Sequence, residues 1–108
     1  MELAFDSKGL RTVCESEAKG NAALGDSVGK SLRARLADIH AAAGVSDLVA
    51  GRPSPIVGAE HELSVDLENG HRLVLCANHG KIPRKPDGAV DWTRVTRVKV
   101  LRIESYHE

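Results

Sequence analysis

Aromatic side chains are almost missing from this chain. Phe5, Trp92 and Tyr106 are the only three in 108 residues, so the core has to be aliphatic. Cysteine is scarce too. Cys14 and Cys76 lie far apart, and neither has the second cysteine of a CxxC pair. That usage fits a reduced, cytoplasmic protein with two buried thiols. No apolar run reaches membrane-spanning length and no signal peptide is visible, so no membrane role is expected. The length suits a single domain over residues 1–108 with one modest core.

Net charge is absent as well, but the balance hides an asymmetry. Residues 1–70 hold 7 Lys/Arg and 11 Asp/Glu, whereas residues 71–108 hold 8 and 4. The C-terminal third is therefore basic and the remainder acidic. Such a split suits a face that meets an anion, and it equally suits a solvated surface.

The segment Met1–Phe5 reads as a short strand. Asp6 or Ser7 can cap a helix carrying Leu10, Val13 and Cys14, which ends near Gly20. A second helix starts near Asp26, with Val28, Leu32, Leu36, Ile39 and Ala43 on one face and Gly44 placed to stop it. Two helices so close in sequence predict an antiparallel hairpin. Gly51-Arg52-Pro53-Ser54-Pro55 reads as a loop, because two prolines disfavour helix and central strand. The period then changes to two, and Asn69-Gly70 marks a β-hairpin.

The register of that hairpin decides where Arg72 points. A two-residue turn pairs Leu67 with Arg72 and puts Arg72 on the face of Leu63, Val65 and Leu67. A three-residue turn with Gly70 in a bulge pairs Leu67 with His71. Leu63, Val65, Leu67, Leu73, Leu75 and Ala77 then share one face, and Glu62, Ser64, Asp66, Arg72, Val74 and Cys76 the other. A one-residue slip flips every side chain, so the apolar pattern selects the bulged register and an open-face Arg72.

A polar connection, His79–Thr93, carries Lys81, Arg84 and Lys85 and leads into a last strand, Val95–Ile103. The apolar residues of that strand do not alternate cleanly. Burial on both faces explains this, and so does a bulge near Leu101. The expected architecture is α+β in the order β-α-α-β-β-β: an N-terminal strand, a two-helix hairpin and an antiparallel sheet, with the helices on one face.

This order, together with Leu3-Ala4-Phe5-Asp6-Ser7-Lys8-Gly9-Leu10, Asn69-Gly70-His71-Arg72-Leu73-Val74-Leu75 and the ending Glu104-Ser105-Tyr106-His107, resembles the RelE/HigB superfamily of type II toxin–antitoxin toxins. Within it the chain is most similar to the HigB-like killer proteins. The resemblance implies a RelE-like fold and ribosome-dependent endonucleolytic cleavage of messenger RNA, which inhibits translation. It implies a helix-turn-helix, HigA-like antitoxin as partner, with operator DNA reached only through that antitoxin. Arg72 matches the family's phosphate-contacting Arg, and Tyr106 and His107 match its catalytic ending. The family often carries His-Pro-Leu-Lys-Gly where this chain has Ser54-Pro55-Ile56-Val57-Gly58, and Asp where it has Ser105.

The residues themselves suit that chemistry. Cleaving RNA through its own 2′-hydroxyl needs a base, an acid and cationic donors for the charged transition state. Arg72 supplies paired donors for a phosphate. His107 can exchange a proton near neutral pH. Tyr106 can donate, orient or stack on a base. Lys81, Arg84, Lys85, Arg97, Lys99 and Arg102 are candidate RNA-binding cations. By itself, a terminal Tyr-His is more often an exposed tail, and an Arg after a turn is usually solvated. His40 sits where it favours a helix dipole. His61, His71, His79 and His107 with Cys76 lack ligand spacing, so neither metal nor cofactor is expected. The alternative is a member that does not cleave: a ParE-like gyrase inhibitor, or a component of an operon-binding toxin–antitoxin complex.

Overall fold

The computed structural model describes residues 1–106. Strand β1 (Glu2–Phe5) gives way to helix α1 (Lys8–Glu15), whose first turn is capped by the Ser7 hydroxyl accepting from the Leu10 amide at 3.1 Å. The expected single first helix is broken. Ser16 leaves the helical region, closes α1 and caps a new helix, α2 (Glu17–Leu24), by accepting from the Lys19 amide. Gly20, read from sequence as a terminator, is instead buried inside α2. A Cβ there would stand 2.8 Å from the Val13 carbonyl oxygen, so the missing side chain lets the two short helices touch. Helix α3 (Asp26–Ala41) follows at once and turns Val28, Leu32, Leu36 and Ile39 inward. The helical part is thus three helices, and the two-helix hairpin is corrected on this point.

The sheet has five strands in the order β1-β5-β4-β3-β2, with β2 Ser54–Ile56, β3 Ala59–Asp66, β4 His71–Ala77 and β5 Arg97–Ser105. Two features differ from the expected antiparallel β-α-α-β-β-β arrangement. First, β1 runs parallel to β5, pairing Glu2 with Arg97 and Phe5 with Val100, so the sheet is mixed. Second, the proline-bearing segment is not all loop. Ser54–Ile56 forms an edge strand on β3, where Pro55 can sit because no further strand needs its amide. The connection before β5 is also less plain than expected. Arg84 bridges to Val90, and Trp92–Arg94 makes one 3₁₀ turn, which moves the strand start to Arg97.

The hairpin takes the bulged register. Asp66 pairs with Arg72 and Val65 with Leu73, the Leu67 amide donates to the His71 carbonyl at 2.8 Å, and Asn69 and Gly70 both have positive φ. The second bulge is present too: β4–β5 pairing skips Leu101, between Val74–Arg102 and Leu75–Val100. One face of the sheet, with Leu63, Val65, Leu73, Leu75, Val98 and Val100, packs with Leu32, Leu36 and Ile39 into an aliphatic core. Helices and core therefore lie on one side, and the other face is left for polar groups.

Among the described residues no helix is long and apolar enough to cross a membrane.

Candidate functional site

Alternation along β3, β4 and β5 sends Asp66, Arg72, Glu104 and then Tyr106 to the open face. Asp66, Arg72 and Glu104 are register neighbours across three strands. Tyr106 lies just past β5, where its amide donates to the Gly70 carbonyl at 2.8 Å. This bond to the turn fixes the strand end. The Arg72 guanidinium then lies 4.9 Å from the centre of the Tyr106 ring. Two of the three expected catalytic residues are thereby in contact. His107, the third, lies outside the described residues.

Neither residue stands alone. Arg72 donates from Nε and Nη2 to one oxygen of Glu104, at 2.9 and 2.7 Å. The Tyr106 hydroxyl donates to Asp66 Oδ1 at 2.6 Å. Arg52 donates to Asp66 Oδ2, from Nε at 2.7 Å and from Nη2 at 2.5 Å. Arg52, Pro53, Ser54, Ser64, Asp66, Arg72 and Tyr106 together line a recess of about 430 Å³.

Arg102 extends the network down the face, donating to Glu62 Oε1 at 2.7 Å and to Glu104 Oε1. Hydrogen bonds from Arg102 and then Arg72 hold the Glu104 carboxyl below its ordinary range, against the opposing push of burial. Arg102 does the same for Glu62, and the two carboxylates in turn push Arg102 upward. These carboxylates stay ionised in mildly acidic solution.

The candidate RNA-binding cations divide into two groups. Arg97, Lys99 and Arg102 follow the open face of β5, but each meets a carboxylate: Arg97 with Glu2 at 3.0 Å, Lys99 with Asp6 at 3.8 Å and Arg102 with Glu62. With Arg52–Asp66 and Arg72–Glu104, five cations face five carboxylates on this surface. Lys81, Arg84 and Lys85 sit in the connection before β5, beyond the Ala77 end of β4. At the usual rise per residue, five residues of strand put that end about 17 Å from Arg72. Lys81 and Arg84 line a separate recess of about 690 Å³ with His79 and Arg94. The Arg84 guanidinium is turned onto the Gly88 carbonyl at 2.9 Å.

Arg52 and Asp66 are the site residues that sequence reading missed. Asp66 carries a usable signal, since its alternation places it opposite Arg72. Arg52 carries only the loop context of Gly51 and Pro53. Among the described residues, no group of three or more His, Cys, Asp and Glu side chains stands together as a metal site.

The arrangement can do three things chemically. It can offer guanidinium donors to a phosphate, present a fixed phenol beside them, and set its own carboxylates in competition with an incoming anion.

The sequence matches no family model, no curated protein and no solved structure at a significant level.

Proposed function

We propose that this chain is a RelE/HigB-like toxin with a RelE-like fold, acting as a metal-independent, ribosome-dependent endoribonuclease on messenger RNA. The observation that carries the reading is the contact between Arg72 and Tyr106. These residues are far apart in sequence, yet the hairpin register and the bulge at Leu101 bring them together at a recess on the helix-free face. In sequence, the residue that follows this phenol is His107.

In this mechanism the 2′-hydroxyl of the RNA attacks the adjacent phosphorus and the 5′-oxygen leaves. Arg72 balances the charge that grows on the non-bridging oxygens. His107 takes the proton from the 2′-hydroxyl or gives one to the 5′-oxygen, and water serves the other oxygen. Tyr106, anchored by Asp66, holds the Arg72 plane in place. The cytoplasm is the compartment of the proposed substrate, and a HigA-like helix-turn-helix antitoxin is the proposed partner.

The test is cleavage of messenger RNA on programmed ribosomes. Wild type should cut at defined codons and stop growth when its expression is induced. His107→Ala should lose about 10²–10⁴ in rate if its imidazole moves the proton in the slow step. Arg72→Ala should lose both binding and rate. Soluble protein that neither slows growth nor cuts RNA would overturn the reading.

A second reading is favoured by the ion pairing itself. Because Arg97, Lys99 and Arg102 of β5 each already meet a carboxylate, this surface also suits a protein contact that needs no free cation, as in a non-cleaving member or a gyrase inhibitor. Growth arrest without RNA cleavage, with supercoiling by gyrase blocked in vitro, would select it.

A further inference from the structure

We propose that the recess before β5, lined by Lys81 and Arg84, is a separate phosphate-binding site that grips the RNA backbone away from Arg72. This deepens the reading of the chain as an RNA-cleaving toxin and rests on it. Arg72 serves the scissile phosphate, and the connection supplies affinity.

The cations of the two surfaces are differently placed. On the open face of the sheet Arg52, Arg72, Arg97, Lys99 and Arg102 each meet a carboxylate. A phosphate arriving there competes with an anion already bound. In the connection the carboxylates are occupied within their own turns. Asp91 takes Arg94 Nε at 3.0 Å together with the Thr93 amide and hydroxyl, and Asp87 Oδ1 accepts the Ala89 amide at 2.9 Å. Among the described residues Lys81 is left without a carboxylate or a hydrogen-bond acceptor. Arg84 commits one of its five N–H donors, and that one goes to the neutral Gly88 carbonyl. Lys8, Lys19 and Lys30 also lack a carboxylate, but each sits on a different helix.

The recess has an ordered frame. Arg84 bridges to Val90, the Lys85 amide donates to the Ala89 carbonyl at 2.8 Å and the Asp91 amide to the Pro83 carbonyl at 2.9 Å. Arg94 Nη2 donates to the Arg84 carbonyl at 3.0 Å, so Arg94 is a strut. His79 Nε2 accepts the Thr96 amide at 3.1 Å, and Ile82 packs against the core. Backbone held in this way has little freedom left to lose on binding.

A chain of phosphates is the ligand that serves both places at once. The recess lies past the Ala77 end of β4, which is about 17 Å from Arg72. At about 3.4 Å per phosphate along one strand, that end is roughly five phosphates away.

The experiment measures binding of a single-stranded RNA oligonucleotide, long enough to span both places, to the full chain over a series of salt concentrations. Each lost phosphate contact should reduce the steepness of log affinity against log salt by about 0.7. Lys81→Gln and Arg84→Gln should each show that reduction, and the double variant about 1.4. Lys81→Arg should keep the wild-type slope. Lys19→Gln, which removes an isolated cation from α2, should keep it too. An unchanged slope in the double variant, with Arg72→Ala reduced, would overturn this site and leave the RNA reading standing. A reduction as large in Lys19→Gln would also overturn it, because overall charge would then set the affinity. Cleavage on programmed ribosomes tests the RNA reading separately, and wild type that neither binds nor cuts RNA would overturn both.

Discussion

Glu104 grips Arg72 through a single carboxylate oxygen, receiving Nε at 2.9 Å and Nη2 at 2.7 Å. That oxygen occupies the position in which a phosphate oxygen would meet the same two donors. Any anionic ligand of Arg72 therefore has to displace a carboxylate that is already in place. Glu104→Gln should tighten binding of single-stranded RNA by about fivefold, as expected for one partly exposed charge worth roughly 1 kcal/mol. The same change should lower folding stability by about 1–2 kcal/mol through the weakened hydrogen bonds. Fluorescence anisotropy and denaturant melts measure the two effects, and equal RNA affinity in both proteins would show that Glu104 does not compete with phosphate.

The carboxylates of this network also set an acid limit on stability. Glu62 and Glu104 are held below their ordinary value of 4.5 in the folded state, chiefly by hydrogen bonds from Arg102. The folded state thus binds these protons less readily than the unfolded chain. Their contribution is fully present above the unfolded value and is lost as pH falls through the lowered folded values. Denaturant melts between pH 7 and pH 3 should show stability dropping below about pH 4.5. The double variant Glu62→Gln, Glu104→Gln should have a flatter profile over that window.

The Gly51 turn holds one wall of the recess and tolerates no side chain. A Cβ at this position would stand 2.5 Å from Val65 Cγ1 and 3.1 Å from the Asp66 carbonyl oxygen, at a φ of +84°. Gly51→Ala should cost about 2–3 kcal/mol by combining overpacking with left-handed strain. Thermal melts measure that cost.

Neither thiol should behave as a reactive cysteine. Burial, reinforced by the Glu15 charge, pushes Cys14 up to about 11, and burial also raises Cys76. At pH 8 both should alkylate far more slowly than a free cysteine, whose thiolate fraction is much larger. Timed alkylation followed by mass spectrometry, native against unfolded, measures the ratio. Fast labelling of Cys14 in the native chain would contradict its burial.

Much of the sheet was legible because its signals are local. Asn69-Gly70 and the alternation of Leu63, Val65 and Leu67 dictate the bulged hairpin, and the irregular run of Val98, Val100, Leu101 and Ile103 betrays the second bulge. The break at Ser16 was not legible. A serine inside a helical pattern is an ordinary residue until a neighbouring helix packs on Gly20 and makes a second cap worthwhile. The pairing of Glu2 and Asp6 with β5 was hidden for a different reason. The acidic and basic parts of the sequence look separate in one dimension, but the parallel β1–β5 contact folds one onto the other. Arg72 and Tyr106 could be named from sequence. Alternation put Asp66 on their face, but its bond to the Tyr106 hydroxyl, the Arg72–Glu104 pair and the part of Arg52 were not legible, because those contacts join different strands and a loop.

The place of β5 has a consequence for how the chain is assembled. It is the last strand in sequence, yet it lies between β1 and β4, pairing residues as far apart as Glu2 and Arg97. During synthesis β2, β3 and β4 can zip together as soon as they emerge, but β1 has no strand to pair with until β5 arrives. Closing such a distant pair loses chain entropy before any contact offsets it. Sheet completion is therefore a late, single event. The recess is completed by the same event, since Tyr106 enters with β5, so a chain still being made has a hairpin and helices but not yet the closed recess.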